Sequence, residues 1–123
     1  MINSLLESQV VLLISVDTLR QDHVGCYGYH RSTTPFIDSL AAEGRCYAHA
    51  FTPVPVTFPA HVSIFTARYL GWNGVSVHNG GWFPPASTWV TWLNENGVLS
   101  GGFVSSFVLD RRMTRGFDLA HYD

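Results

Sequence analysis

The hydrophobic pattern changes period several times along this chain, and each change suggests an element. Gln9 to Val16, QVVLLISV, is an aliphatic and β-branched run without polar alternation. Such a run suits a strand buried on both faces, as in a parallel sheet under helices. It stops at Asp17. Glycine and tyrosine then mark an irregular loop, Gly25 to Thr33. Thr34-Pro35 opens a helix, with Thr34 as N-cap and Pro35 at the first helical position. Phe36, Ile37, Leu40 and Ala41 give it an apolar face, and Gly44 stops it. Arg45 to Thr52 reads as a short strand. The loop Pro53 to Val56 leads into a second helix, about Pro59 to Arg68, with Val62, Phe65 and Tyr69 on one side. Gly71 to Pro85 reads as loop. Ser87 is the expected N-cap of a third helix, Thr88 to Asn96, closed by Gly97. Gly101 to Phe107 is a candidate second parallel strand, and Arg111 to Asp123 is polar and turn-rich. The order β-α-β-α-α-β predicts an α/β fold. Residues 1–8 are a lead-in, and no repeat or low-complexity tract is present.

Composition changes this picture in one respect. Hydrophobic residues make up 46% of the 123 and charged residues 13%, against roughly 25% charged in ordinary soluble domains. A surface so poor in charge suggests faces that another part of a larger protein covers. The formal net charge of −2 gives no electrostatic case for nucleic acid or an anionic membrane as partner. The apolar run Val10 to Val16 is too short to span a bilayer, and no secretory signal is visible. Cys26 and Cys46 lack CxxC spacing and a metal-partner pattern; they read as buried small hydrophobes, with a disulfide as the alternative.

The chemistry concentrates around PVPVTFPAHVSIFT, Pro53 to Thr66. Thr57 sits where loop becomes helix, facing free backbone N–H groups and the positive end of the helix dipole. There it can cap the helix, or serve as a nucleophile beside a bound anion. A threonine hydroxyl needs a base or a metal to act at neutral pH. Asp17, at the end of the first strand, lies where open α/β sheets place their ligands. Its carboxylate suits hard divalent cations, and zinc also accepts it. At adjacent strand ends, Asp17 and Thr57 could share one metal. His61 lies one helical turn beyond Thr57 and can orient the hydroxyl, bind a substrate oxygen or simply pack. Asn79, in VHNGG, is a donor that could hold an oxyanion, although Asn-Gly is first of all a turn signal. His78 is the weaker candidate of that pair. Asp22 and His23 read as a solvated loop pair. His30, His49 and His121 show no ligand spacing. Trp72, Trp82, Trp89 and Trp92 read as core or substrate-rim residues.

These residues form a familiar series. VVLLISVDTLRQDHVGCYGYHRSTTPFIDSLAAEG resembles the N-terminal segment of sulfatase-like hydrolases in the alkaline phosphatase superfamily. The resemblance continues through PVPVTFPAHVSIFTARY, NGVSVHNGGWF and GFVSSFVLDRR to GFDLAHYD. It implies a mostly parallel sheet with helices on both faces over residues 9–123, with the domain incomplete. It also implies hydrolysis of a small-molecule sulfate or phosphate ester by a metal-bound residue at a helix N-terminus. The resemblance puts Asp17 on the first metal-ligand aspartate and Thr57 on the nucleophile. Asn79 falls on the asparagine that contacts the transferred group in the phosphodiesterase branch. The implied cofactor is a divalent metal ion: Zn, Mn, Ca or Mg.

The resemblance has two departures. Sulfatases carry C/S-x-P-S-R, in which Cys or Ser is oxidised to formylglycine. Here the window is Thr57-Phe58-Pro59-Ala60-His61. Threonine cannot give that aldehyde, and His61 replaces the arginine that helps hold it. Thr18 stands where many sulfatases have a second aspartate. Both changes favour phosphoryl-ester chemistry over arylsulfatase chemistry. The family's later Asp and His ligands, including a D-H-G motif, have no match here. The chain is therefore expected to supply part of a metal site, with the rest of the enzyme or self-association completing it. The competing expectation is a non-catalytic α/β fragment acting through association. A flavodoxin-like binding domain is weaker still, because no glycine-rich phosphate loop follows the first strand.

Overall fold

A computed structural model describes residues 10–72, 75, 87–106, 108–109, 113–114 and 116–122. The chain divides into two compact units, Met1–His49 and Ala50–Asp123. The architecture mixes helices with a small parallel sheet, consistent with an α/β fold.

The first unit is built around helix α1, Pro35–Glu43. Pro35 takes the first turn, where its missing N–H costs nothing. Thr34 is the N-cap residue, but its side chain makes no cap bond. The Thr34 hydroxyl instead accepts the Gly25 N–H at 2.9 Å and bonds the Asp38 carboxylate at 3.2 and 3.3 Å. Asp38 also accepts the Cys26 N–H at 2.7 Å. The turn at 25–27 is thereby fastened to α1. A Cβ at Gly25 would meet Asp38 Oδ2 at 2.2 Å, so a larger residue there would displace the carboxylate that fastens the turn. The expected apolar face of α1 is present in sequence but uncovered: Phe36 and Leu40 are exposed.

The run at 10–16, expected as the first strand, forms no strand, and neither does 45–52. Val10, Val11 and Leu12 are 94%, 90% and 78% exposed. A strand exists only through hydrogen bonds to a neighbour, and among the described residues none pairs with either segment. The full sheet and the helices on both of its faces are accordingly not seen among the described residues.

The second unit holds the core. Helix α2, Thr57–Thr66, buries Phe58 and Val62 against Val75 and Met113, with Phe65, Leu70 and Leu109 packed around them. The helix begins two residues earlier than expected and ends at Ala67, which is left-handed at φ 53°. Helix α3, Trp89–Glu95, is capped by Thr88, not Ser87. Thr88 and Thr91 bond reciprocally, Thr91 N–H to Thr88 Oγ1 at 3.2 Å and Thr88 N–H to Thr91 Oγ1 at 3.0 Å. This is a capping box built from two threonines. Phe65 of α2 stacks on Trp89 of α3, with ring centroids 5.5 Å apart, and meets Phe117 edge-on at 5.9 Å.

Strand β1, Gly101–Val104, pairs in parallel with β2, Leu119–Tyr122, in the register Gly101 opposite Leu119. β1 is the expected strand, shortened. β2 falls in the segment read as turn-rich. Ser100 fastens the start of the pair: its N–H donates to Asp118 Oδ2 at 2.7 Å, and its hydroxyl oxygen lies 3.2 Å from the same carboxylate oxygen. The same hydroxyl donates to Asn94 Oδ1 at 2.8 Å, tying α3 to the sheet. Trp72 and Trp92 are exposed, so only Trp89 of the described tryptophans joins the packed aromatics. Trp82 lies outside the described residues. Among the described residues, no helix is long and apolar enough to cross a membrane.

Candidate functional site at the start of α2

Thr57 is the first residue of α2, and Val56 occupies the N-cap position without any side-chain cap bond. Thr57 is therefore not the N-cap residue of α2. Pro59 brings no N–H to the first turn, and the first helical bond runs from Ala60 N–H to Val56 O at 3.0 Å. Thr57 is half-buried, between the buried Phe58 and the solvent. Its setting joins a hydroxyl to the positive end of a ten-residue helix, the electrostatic environment that favours an anion.

His61 shares this turn. Its Nδ1 lies 2.8 Å from the Thr57 carbonyl oxygen. A carbonyl only accepts, so Nδ1 carries the proton and donates. In the neutral ring this leaves Nε2 as the acceptor. His61 is 9% exposed, with Val62 and Ser63 buried beside it. The structure thus brings Thr57 and His61 together, through the backbone of the threonine.

Asp17 belongs to the first unit and is exposed. Its Oδ1 accepts the Thr18 N–H at 3.1 Å. Thr18 sits at φ 58°, a left-handed conformation that is an outlier for a β-branched residue. Strain of this kind persists only where surrounding structure imposes it, and it clusters at functional positions. The sequence flagged Thr18 as a departure from the sulfatase pattern but gave no sign of its backbone.

Asp22 and His23 form an exposed charge cluster with Arg20. The Arg20 guanidinium donates to both Asp22 oxygens, at 2.9 and 2.5 Å, and His23 Nδ1 lies 2.9 Å from Asp22 Oδ1. Hydrogen bonds from Arg20, then from His23, hold the Asp22 carboxyl well below the usual carboxylate range. Arg20 was missed in the sequence, although its R-x-D spacing from Asp22 was there to read. Asn79 and His78 lie outside the described residues.

The implied divalent ion can be tested against the donors present. Asp17 and Thr57 offer oxygen atoms, the donor type such ions take. Among the described residues, no group of three or more His, Cys, Asp or Glu side chains could hold a metal ion. Each of the two residues, taken by itself, fits such an ion only in the type of its donor atom.

A hydroxyl at a helix start, held beside a histidine in a mixed α/β chain, defines a candidate group-transfer site. The chain belongs to the sulfatase family: the family model described as Sulfatase matches residues 9–118. It is 40% identical over 68 residues to the uncharacterized sulfatase YidJ of Escherichia coli, covering 55% of this chain and 14% of that protein. Human arylsulfatase A is 38% identical over 58 residues, 47% of this chain and 11% of that protein. Human iduronate 2-sulfatase is 34% identical over 101 residues, 80% of this chain and 18% of that protein. The chain thus spans less than a fifth of the length of these three relatives. No solved structure shows a significant match.

Proposed function

We propose that this chain carries the nucleophile of a sulfatase-type ester hydrolase acting on a small-molecule sulfate or phosphate ester. Thr57 Oγ attacks sulfur or phosphorus, and the ester oxygen leaves with a proton. Water then cleaves the covalent intermediate and restores the hydroxyl. The observation that carries this reading is the position of Thr57: first in α2, with His61 bonded to its carbonyl oxygen. The names of the relatives favour sulfate as the transferred group. Threonine in place of the formylglycine precursor favours phosphoryl transfer.

The remaining roles follow from that assignment. Asp17 is proposed as a ligand of a divalent ion, whose positive charge when bound would favour the ionised hydroxyl. Helix α2 directs its N-terminal dipole at the equatorial oxygens, and Asn79 donates to them. His61 fixes the backbone of Thr57 and so the aim of its hydroxyl.

The test is made in the full-length protein with a nitrophenyl sulfate, a nitrophenyl phosphate and a nitrophenyl phosphodiester. Thr57→Ala is expected to remove at least about 10³-fold of kcat on the preferred ester, with Thr57→Ser retaining part of it. Unchanged turnover by Thr57→Ala sinks the nucleophile assignment.

A second reading rests on the exposed apolar run at 10–14: an association segment without chemistry of its own. Stoichiometric binding of Zn²⁺ or Mn²⁺ together with ester turnover by the protein excludes it. Loss of both in Asp17→Ala would further support the catalytic reading.

A further inference from the structure

The first unit contains an open cleft of ≈ 600 Å³ lined in part by Cys26, Cys46, Tyr29, His30 and Asp38. The sequence suggested buried cysteines. Both are exposed and free, and they are the chain's two cysteines. The segments that carry them are bonded side by side. Tyr27, next to Cys26, donates its hydroxyl to the carbonyl of Tyr47, next to Cys46, at 2.8 Å. Gln21 reaches the Ala48 carbonyl at 3.4 Å. On the other side, the Cys26 N–H is held by Asp38. Cys26 and Cys46 thus line one cleft, on segments joined by these bonds. Desolvation first, and then Cys46, push the Cys26 thiol above its ordinary range. Two exposed thiols in one cleft, on segments fastened to each other, are placed for the close approach that a disulfide requires.

We propose that Cys26 and Cys46 are a redox-controlled pair that closes to an intramolecular disulfide by exchange with a low-molecular-weight disulfide. One cysteine thiolate attacks the small disulfide, forming a mixed disulfide and releasing one small thiolate. The other cysteine thiolate attacks the protein sulfur of that mixed disulfide and releases the second small thiolate. The two protein thiols lose two electrons, the small disulfide gains them, and the two protons end on the released thiols. The bond joins the turn at 25–27, a few residues beyond Asp17, to the segment that leaves α1. It would restrict motion of the loop that carries the candidate ligand. The raised pKa of Cys26 makes its sulfur a poor leaving group, which favours persistence of the bond once formed.

The test uses the intact protein in native buffer with oxidised glutathione, quenched by alkylation and mapped by non-reducing peptide mass spectrometry. The expected product is a peptide linking Cys26 to Cys46 that retains no glutathione, in a protein that stays monomeric and regains both thiols with dithiothreitol. Cys46→Ser is expected to stop at glutathione on Cys26, and Cys26→Ser at glutathione on Cys46. In urea the ratio of closed to mixed disulfide should fall at least about tenfold, because the effective concentration set by the fold is lost. Persistent glutathione on both cysteines, thiols that stay free, interchain dimers, or equal closure in urea would each overturn the proposal.

Discussion

His61 donates from Nδ1 to the backbone carbonyl of Thr57 across 2.8 Å. The contact explains why the two residues belong one turn apart. The ring grips the main chain of the candidate nucleophile. Asn at position 61 can place an N–H close to the imidazole Nδ1, whereas Ala cannot. His61→Ala is expected to lower kcat of the full-length protein by about 10- to 100-fold, the scale of a small misplacement of a reacting group. His61→Asn should recover a good part of that loss. Equal loss in both variants, measured on the same ester, would show that the ring acts through Nε2 and not through this bond.

Thr18 holds a left-handed backbone at φ 58° next to the proposed ligand Asp17. Glycine adopts that conformation without steric cost, and its N–H still bonds the Asp17 carboxylate. Thr18→Gly is therefore expected to raise stability by about 1 kcal/mol, relief of left-handed strain being offset in part by unfolded-state entropy. Urea unfolding of the two proteins measures it. A destabilised variant would mean that the Thr18 side chain contributes more than its backbone costs.

What was legible in the sequence was local. Pro35 opens α1 with its fixed backbone and Gly44 follows its last residue, whereas Gly97 closes α3 in the left-handed region at φ 79°, which glycine adopts without steric cost. The order of the elements and the family resemblance put Thr57 at a helix start, and α2 begins there. Placement within two residues was not legible. Ser87 and Thr88 are both good N-caps, and the choice fell to Thr88 because Thr91 reciprocates its bond. Strands were legible only where a partner exists in the described chain. Gly101 to Val104 finds Leu119–Tyr122, whereas the more apolar Val10 to Val16 finds none and stays exposed. Hydrophobicity suggested the wrong state for the cysteines as well, because their exposure depends on what α1 and the turn at 25–27 leave open.

Asp118 fastens the start of the parallel pair by accepting the N–H of Ser100. The side chain is exposed, so its loss leaves no buried charge behind. Asp118→Ala is expected to cost about 1 kcal/mol, the net worth of ordinary hydrogen bonds. Hydrogen exchange should report faster opening at Gly101 to Val104 than in α2. Unchanged protection of that strand would assign its pairing to the backbone ladder alone.

Asp22 provides the pH signature of the first unit. Its carboxyl pKa lies well below the ordinary 3.8 because Arg20, and then His23, donate to it. A depressed folded-state pKa means that the unfolded chain takes up the proton first as pH falls. The contribution to stability is therefore fully present above the unfolded value near 3.8, and is lost as pH drops toward the lower folded value. The pair is exposed, so solvent screening keeps this contribution small. Titration followed by the carboxyl-carbon NMR shift should find Asp22 still ionised well below pH 3.8. Arg20→Ala should move that titration upward toward the ordinary value, with His23 retaining a smaller share. An unmoved midpoint in Arg20→Ala would show that the guanidinium does not hold this carboxylate in solution.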